Sequence, residues 1–369
     1  MNQDTVSQIE GLTVSLPLDE PVWASGLRID RREFFLVRIK TESGLVGHGF
    51  HKSRGLYLNR IVEENLASHV IGKDPWQVRK IWDDMNQGTL LSGRVGAVMR
   101  AIGTIDIALW DLRAQMADVP LYKLLGGYRD KCRAIVVTGY YEEDFNAVDK
   151  MIEDIQAHSR QGVDFFKIAA GMLDAEADGK RIEAARSAAG EDAELVVDVN
   201  WVWRDIKEAL RTANLWEKYR LSWIEEPFPP GSTYERQKFA DASPVAVGIG
   251  DEQSGIPFFR DLMAAHSAHM IRIDTPVLGG ITPAITVATM AEAWGLSIST
   301  HIYPEINIHL AATFKNMVGL ELFSTRSELY KIDKFINPNL ELMDGEVTVP
   351  EQAGLGFQLD WDELKKYAI

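Results

Sequence analysis

Asp198, Glu225, Asp251, Asp274 and His301 each close a short apolar run: Leu195–Asp198, Leu221–Glu225, Val245–Asp251, Met270–Asp274 and Leu296–His301. Successive members are 27, 26, 23 and 27 positions apart. The first three are carboxylates, a donor set suited to a hard divalent cation such as Mg²⁺, which takes carboxylate and water oxygens and keeps positions open for substrate. Taken singly, each acid can equally cap the next helix or pair with a base. Three at regular intervals, with no histidine or cysteine among them, favour the metal. Asp274 and His301 form an acid–imidazole pair, in which the carboxylate fixes the ring tautomer, raises its basicity and leaves the other nitrogen to act as a general base. Lys167, in Phe165-Phe-Lys-Ile-Ala-Ala170, and Glu321, in Leu320-Glu-Leu-Phe323, are charged residues inside apolar segments. Desolvating either without a partner is costly, so both are expected at the same hydrogen-bonded site.

The elements that would hold these residues follow from the spacing. Short apolar runs alternating with helix-like stretches read as βα units of a parallel sheet. A repeat near 27 fits an eight-fold (β/α) barrel, whose roughly 250 residues divide into units of about 30. Each polar residue then stands at the C-terminal mouth of a strand, where such barrels keep their chemistry. Further barrel strands are expected near Cys132–Thr138, Asp164–Ala169 and Gly319–Phe323, with amphipathic helices such as Val148–Gln161 and Asp205–Tyr219 between strands. Before the barrel, Ile9–Leu16, Arg31–Thr41 and Gly44–Phe50 alternate as strands, and the Glu42-Ser-Gly44 turn marks a hairpin. Val95–Met116 reads as one long helix, with Ala101, Ile105, Ala108, Leu109 and Leu112 along one face. The predicted fold class is α/β: a modified (β/α)8 TIM barrel with an N-terminal α+β capping domain. Residues 1–125 form the capping or lid domain, 126–330 the barrel with the catalytic site, and 331–369 a C-terminal segment returning to the cap.

Composition bounds the partners. The 369 residues are 46% hydrophobic and carry a formal net charge of −15, which disfavours nucleic acid and anionic membranes. Cys132 is the only cysteine, so an internal disulfide is impossible. The first 20 residues carry no basic apolar leader, and Arg100, Asp106 and Asp111 interrupt the most apolar stretch, so neither a signal peptide nor a membrane span is expected. A cytoplasmic homo-oligomeric enzyme acting on a small carboxylate is the expectation.

Residues Ala101-Ile-Gly-Thr-Ile-Asp-Ile-Ala-Leu-Trp-Asp111, Pro120-Leu-Tyr-Lys-Leu-Leu-Gly-Gly127, Trp223-Ile-Glu-Glu-Pro227 and Ser299-Thr-His-Ile-Tyr-Pro-Glu305 resemble the enolase superfamily in its mandelate racemase-like branch, across essentially the whole chain. The resemblance implies that Asp198, Glu225 and Asp251 are the Mg²⁺ ligands, and that Asp274 and His301 are the basic dyad. It places Lys167 at the first lysine of a Lys-x-Lys motif and makes Glu321 the acid that hydrogen-bonds the substrate carboxylate. Glu226 and Glu252 then stand just behind the ligands. The second lysine, a base in racemases of this branch, is Ala169 here. A methyl group moves no proton, so a two-base proton transfer loses one partner.

The expected activity is therefore dehydration of a sugar acid to a 2-keto-3-deoxy acid. His301 removes the α-proton, the developing charge is held as a metal-stabilised enediolate, and the imidazolium protonates the departing β-hydroxyl. Tyr140, Asn200 and Trp201, which follow barrel strands, and Trp23, Arg28, His51, Lys52 and Arg54, on the segments Leu16–Arg28 and His51–Arg54 expected to link the cap strands, are the candidate substrate contacts. Two alternatives stay open: a racemase or epimerase of hydroxy or amino acids that uses Lys167 as its second base, and a non-catalytic ligand-binding relative.

Overall fold

The computed structural model describes residues 4–24, 26–324, 326–327 and 329–369. The chain opens with a three-stranded antiparallel sheet: β1 (Val6–Ala24), β2 (Leu27–Thr41) and β3 (Val46–Lys52). The apolar alternation of these strands lays one face on the long helix α1 (Ala97–Met116), which is buried along nearly its whole length. Contact is backbone to backbone. A Cβ on Gly49 would come within 2.2 Å of the Thr104 carbonyl, and one on Gly103 within 2.0 Å of the Pro276 carbonyl. Glycine is thus required at both contacts, on β3 against one face of α1 and within α1 at the other, and the helix is wedged between the cap sheet and the short helix Thr275–Leu278 that follows Asp274.

Eight parallel strands follow: β4 (Lys131–Thr138), β5 (Phe165–Ala169), β6 (Glu194–Asp198), β7 (Trp223–Glu225), β8 (Val247–Ile249), β9 (Met270–Ile273), β10 (Ser297–Thr300) and β11 (Leu320–Phe323). Each pairs with the next from β4 to β10, and β11 pairs with β4. Between β10 and β11 a single parallel bridge, Ile298 to Met317, stands in place of a ladder. The architecture is of the TIM-barrel type with that one seam unzipped.

Side chains two apart on a strand share a face, which divides the barrel interior into levels. Ile135, Phe165, Val196, Trp223 and Met270 pack together as a separate apolar cluster. Two residues further along their strands come Lys167, Asp198, Glu225 and Arg272. An apolar plug therefore underlies a charged layer facing the mouth.

The acids that interrupt α1 are structural. Asp106 accepts from the Thr282 amide at 2.8 Å and hydroxyl at 2.6 Å. Asp111 accepts from the amides of His48 at 2.9 Å and Leu355 at 2.8 Å, joining β3 and the tail to the helix. Burial pushes their carboxyls up to about 7 and about 6. The tail touches both halves: Glu346–Thr348 pairs with β4 as a strand, while toward the cap Ala368 makes a single bridge to Val14 and Arg38 stacks over Trp361 at 4.7 Å. Cys132 is buried and free. No helix among the described residues is long and apolar enough to cross a membrane.

Candidate active site

Asp198 and Glu225 occupy neighbouring positions on β6 and β7, and Asp251 follows β8 in a turn. One carboxylate oxygen from each lies within 4.8 Å of the other two, close enough to converge on one cation. All donors are hard oxygens, which suits Mg²⁺. Their environment is charged but balanced. Trp223 donates its indole N–H to Glu225 at 2.9 Å, and Arg272 Nε lies 3.0 Å from Glu225 and 3.2 Å from Asp251. Burial pushes the Asp198 carboxyl up to about 7 against the pull of Lys167, and the neighbouring Glu225 charge adds to the rise.

His301 follows β10, and its Nδ1 lies 2.8 Å from Oδ2 of Asp274, the residue preceding a short helix after β9. Nε2 faces the carboxylates, 3.7 Å from Oδ2 of Asp251. The ring is thus fixed by one nitrogen and presents the other to the space over the triad. Asn307 braces this pair: its amide donates to the carbonyls of His301 at 3.2 Å and Ile302 at 2.5 Å and accepts from the Thr275 hydroxyl at 2.5 Å.

Across the mouth, Lys167 donates to Glu225 at 2.6 Å and Glu321 at 2.7 Å, with Asp198 at 3.6 Å. Burial alone would depress this ammonium, but Glu225 and Glu321 hold it above its ordinary range. Glu321 also receives Arg272 and, at 3.2 Å, the Ile302 amide. Burial would raise its carboxyl, but Lys167 and Arg272 pull it well below the usual range. Glu321 thus holds two cations, Lys167 and Arg272, at the mouth.

Glu226 accepts from the amides of Gly250 at 2.6 Å and Asp251 at 2.8 Å and from the Trp201 indole at 2.8 Å, holding the turn that carries the third acid. Glu252 faces the cap, where Arg54 and Arg100 converge on it. It therefore belongs to the contact between cap and barrel. Asp274 and His301 lie near it, but these two guanidinium groups already occupy the Glu252 carboxylate.

A cavity of about 160 Å³ lies over these residues, with Tyr140, Asn200 and Trp201 on its wall. Of the cap residues expected to touch substrate, Lys52 and Arg54 line this cavity, while Trp23, Arg28 and His51 fall elsewhere. Side chains alternate along β3, so with Lys52 facing the cavity its neighbour His51 points at α1, where Nδ1 lies 2.7 Å from the Thr104 hydroxyl. Arg28 is exposed and pairs with Asp30 at 2.7 Å. Trp23 lines a larger neighbouring cavity of about 800 Å³, edge-on to Phe145. The supposed loop Leu16–Arg28 is largely strand, with β1 running to Ala24 and β2 starting at Leu27. Arg272, Asn307 and Arg32 were not anticipated. Arg272 carried the same signal as Lys167, a charge inside an apolar run. Asn307 carried none.

A barrel with three acids on successive strand ends, an Asp–His pair on the next two and a separate cap sheet defines an enzyme of the enolase type. The chain belongs to the enolase superfamily, in its mandelate racemase and muconate lactonizing enzyme branch: residues 8–126 match the N-terminal domain of mandelate racemase / muconate lactonizing enzyme, and residues 150–363 match the enolase C-terminal domain-like family. Among its relatives are the L-talarate/galactarate dehydratase of Salmonella typhimurium, 28% identical with 98% of this chain and 92% of that protein covered, and the arabinonate dehydratase of Saccharolobus solfataricus, 28% identical with 93% and 92% covered. The crystal structure of L-talarate dehydratase from Polaromonas sp. JS666, complexed with Mg and L-glucarate, superposes with a TM-score of 0.89 at 29% identity, covering 99% of this chain and 98% of that one.

Proposed function

We propose that this protein is a Mg²⁺-dependent dehydratase that converts a sugar acid to a 2-keto-3-deoxy acid. In this reading residues 1–125 cap the site, 126–330 carry it and 331–369 return to the cap. Asp198, Glu225 and Asp251 hold the cation. A divalent ion there supplies Lewis-acid neutralisation of the charge that develops on the substrate carboxylate. Nε2 of His301 takes the α-proton, Asp274 stabilises the resulting imidazolium, and the Lys167 ammonium adds a fixed positive charge beside the substrate carboxylate. The β-carbon–oxygen bond then breaks as His301 returns its proton to the departing hydroxyl. Water leaves, and the enol tautomerises to the 2-keto acid.

The observation that carries this reading is the asymmetry of the mouth. One side presents His301 with a free Nε2, while the other offers the Ala169 methyl and a Lys167 whose proton is held by carboxylates. One base suffices for dehydration, whereas a two-base 1,1-proton transfer needs a second partner on the opposite face. Named relatives that dehydrate sugar acids support the same class.

The test is to incubate the enzyme and Mg²⁺ with a library of aldonic and aldaric acids and detect 2-keto acid as its semicarbazone. Product from at least one stereochemical series is expected. Isomer formation with solvent deuterium incorporation and no 2-keto acid would replace this reading with epimerisation.

A further inference from the structure

Lys52 is the last residue of β3, which lies at the edge of the cap sheet, so every second amide of the strand points away from β2. The Ser53 N–H returns to the Glu33 carbonyl on β2 at 2.8 Å. The Lys52 N–H therefore faces outward, into buried surroundings where it needs an acceptor. The barrel supplies one, the phenol oxygen of Tyr303 at 3.0 Å. The Lys52 carbonyl lies 3.5 Å from Nη1 of Arg100, whose other nitrogen grips Glu252. The Glu252 amide in turn lies 3.4 Å from Oδ2 of Asp274. The backbone of one cap residue is thus tied toward both members of the dyad.

Tyr303 carries the tie to His301. It follows the base by two residues and is 1% exposed. Its ring meets the imidazole edge-on, with centroids 6.5 Å apart and planes at 81°, and meets Phe50 of β3 on the cap side at 6.1 Å. Its backbone stands at φ 50° and ψ 55°, the left-handed region that a tyrosine occupies only when its surroundings hold it there. The holding comes from two directions. The amides of Ile306 and Asn307 donate to the Tyr303 carbonyl at 3.0 and 2.9 Å, fixing the main chain. The Lys52 amide fixes the far end of the side chain, so the ring is clamped at both ends beside the imidazole.

We propose that Tyr303 is a positioning residue for His301, a strut through which the docked cap sets the aim of the base. The lone pair of Nε2 lies in the plane of the imidazole, so a tilt of the ring misdirects it even while Nδ1 keeps its bond to Asp274. The cap then contributes to the proton-transfer step itself as well as covering the substrate. This inference rests on the reading of His301 as the base, and it holds for dehydration and epimerisation alike, because both begin with removal of the same α-proton.

The experiment is Tyr303→Phe, which keeps the ring and its packing and removes only the oxygen that receives the Lys52 amide. Rates of 2-keto acid formation and of α-proton exchange in D₂O are measured well below the thermal midpoint, with Mg²⁺ affinity by calorimetry. The His301 ring resonance is followed in protein carrying ring-labelled histidine, assigned by its loss in His301→Asn. Because a displacement of about 1 Å can cost roughly 10²-fold, the partial freedom gained here should lower kcat and exchange by about tenfold, with KM and Mg²⁺ affinity near native and the His301 resonance shifted or broadened. A purely structural role would lower the thermal midpoint and leave kcat and the resonance as they are, which would overturn the proposal. A raised KM at native kcat would overturn it too, making the contact one that serves substrate binding. A native protein that neither exchanges nor dehydrates any acid offered would remove the reading of His301 as base, and the resonance alone would then decide whether Tyr303 positions the ring.

Discussion

Oδ1 of Asn307 accepts a hydrogen bond from the hydroxyl of Thr275 at 2.5 Å, the residue next to Asp274, while the Asn307 amide holds the carbonyl of His301. One side chain thus spans the two strand ends that carry the base and its acid. Ile302 and Tyr303, just beyond, have φ values of 39° and 50°, a conformation that non-glycine residues adopt only when their surroundings enforce it.

Replacing Asn307 by Ala should therefore loosen His301 without touching the metal ligands. Displacement of a catalytic group by about 1 Å can cost roughly 10²-fold in rate, so a fall in kcat of one to two orders of magnitude is expected. Mg²⁺ affinity measured by calorimetry should stay near native. A variant with native kcat would mean that packing around Asp274 and His301 holds the dyad unaided.

The three acids make a second prediction. Asp198→Asn or Glu225→Gln should weaken Mg²⁺ binding and activity together, with circular dichroism unchanged because the apolar plug below the charged layer is intact. Thorough chelation of the native protein should silence it, and added Mg²⁺ should restore it. Full activity after chelation would remove the metal assignment.

A third prediction concerns acid stability. Nδ1 of His309 accepts the Tyr122 amide at 3.2 Å and Nε2–H donates to the Leu355 carbonyl at 3.0 Å, so the ring must be neutral. Burial lowers its pKa from 6.5 to about 4, with the bond to Leu355 opposing. Burial, then Arg38, does the same for His48. The unfolded chain takes up these protons near pH 6.5 and the folded one does not, so stability present above that pH is lost as it falls toward 4. For one such ring the loss approaches about 3 kcal/mol. The urea midpoint should drop between pH 7.5 and 5.0, and drop less in His309→Gln. An equal drop in both proteins would place the acid sensitivity elsewhere.

Much of this site was legible because a strand repeats every two residues and a barrel opens at its strand ends. Asp198, Glu225, Asp251, Asp274 and His301 needed only that rule to be gathered together. Lys167 and Glu321 were found by the cost of a charge inside an apolar run, and Arg272 carried the same mark. The cap was read less well because its contacts depend on which face a strand presents. Lys52 and His51 are adjacent, yet one lines the cavity and the other packs on α1. Asn307 and Arg100 act through long-range hydrogen bonds and ion pairs, which no periodicity encodes. The unzipped seam between β10 and β11 likewise left no trace in the spacing.

The last prediction separates the roles of His301 and Lys167 over the substrate. If His301 is the sole competent base, His301→Asn should abolish both dehydration and exchange of the substrate α-proton in D₂O, a loss of at least about 10²–10⁴-fold. Asn can still meet Asp274, so the fold should persist. Lys167→Met should also be damaging, through lost charge stabilisation and through Glu225 and Glu321 left with Arg272 as their one shared cation among the described residues. The roles divide on a substrate of opposite configuration at the α-carbon, whose proton points toward Lys167. With its proton held by carboxylates, Lys167 should leave that hydrogen unexchanged in the His301→Asn protein. Deuterium incorporation there would make Lys167 a second base and restore racemisation as the leading chemistry of this mouth.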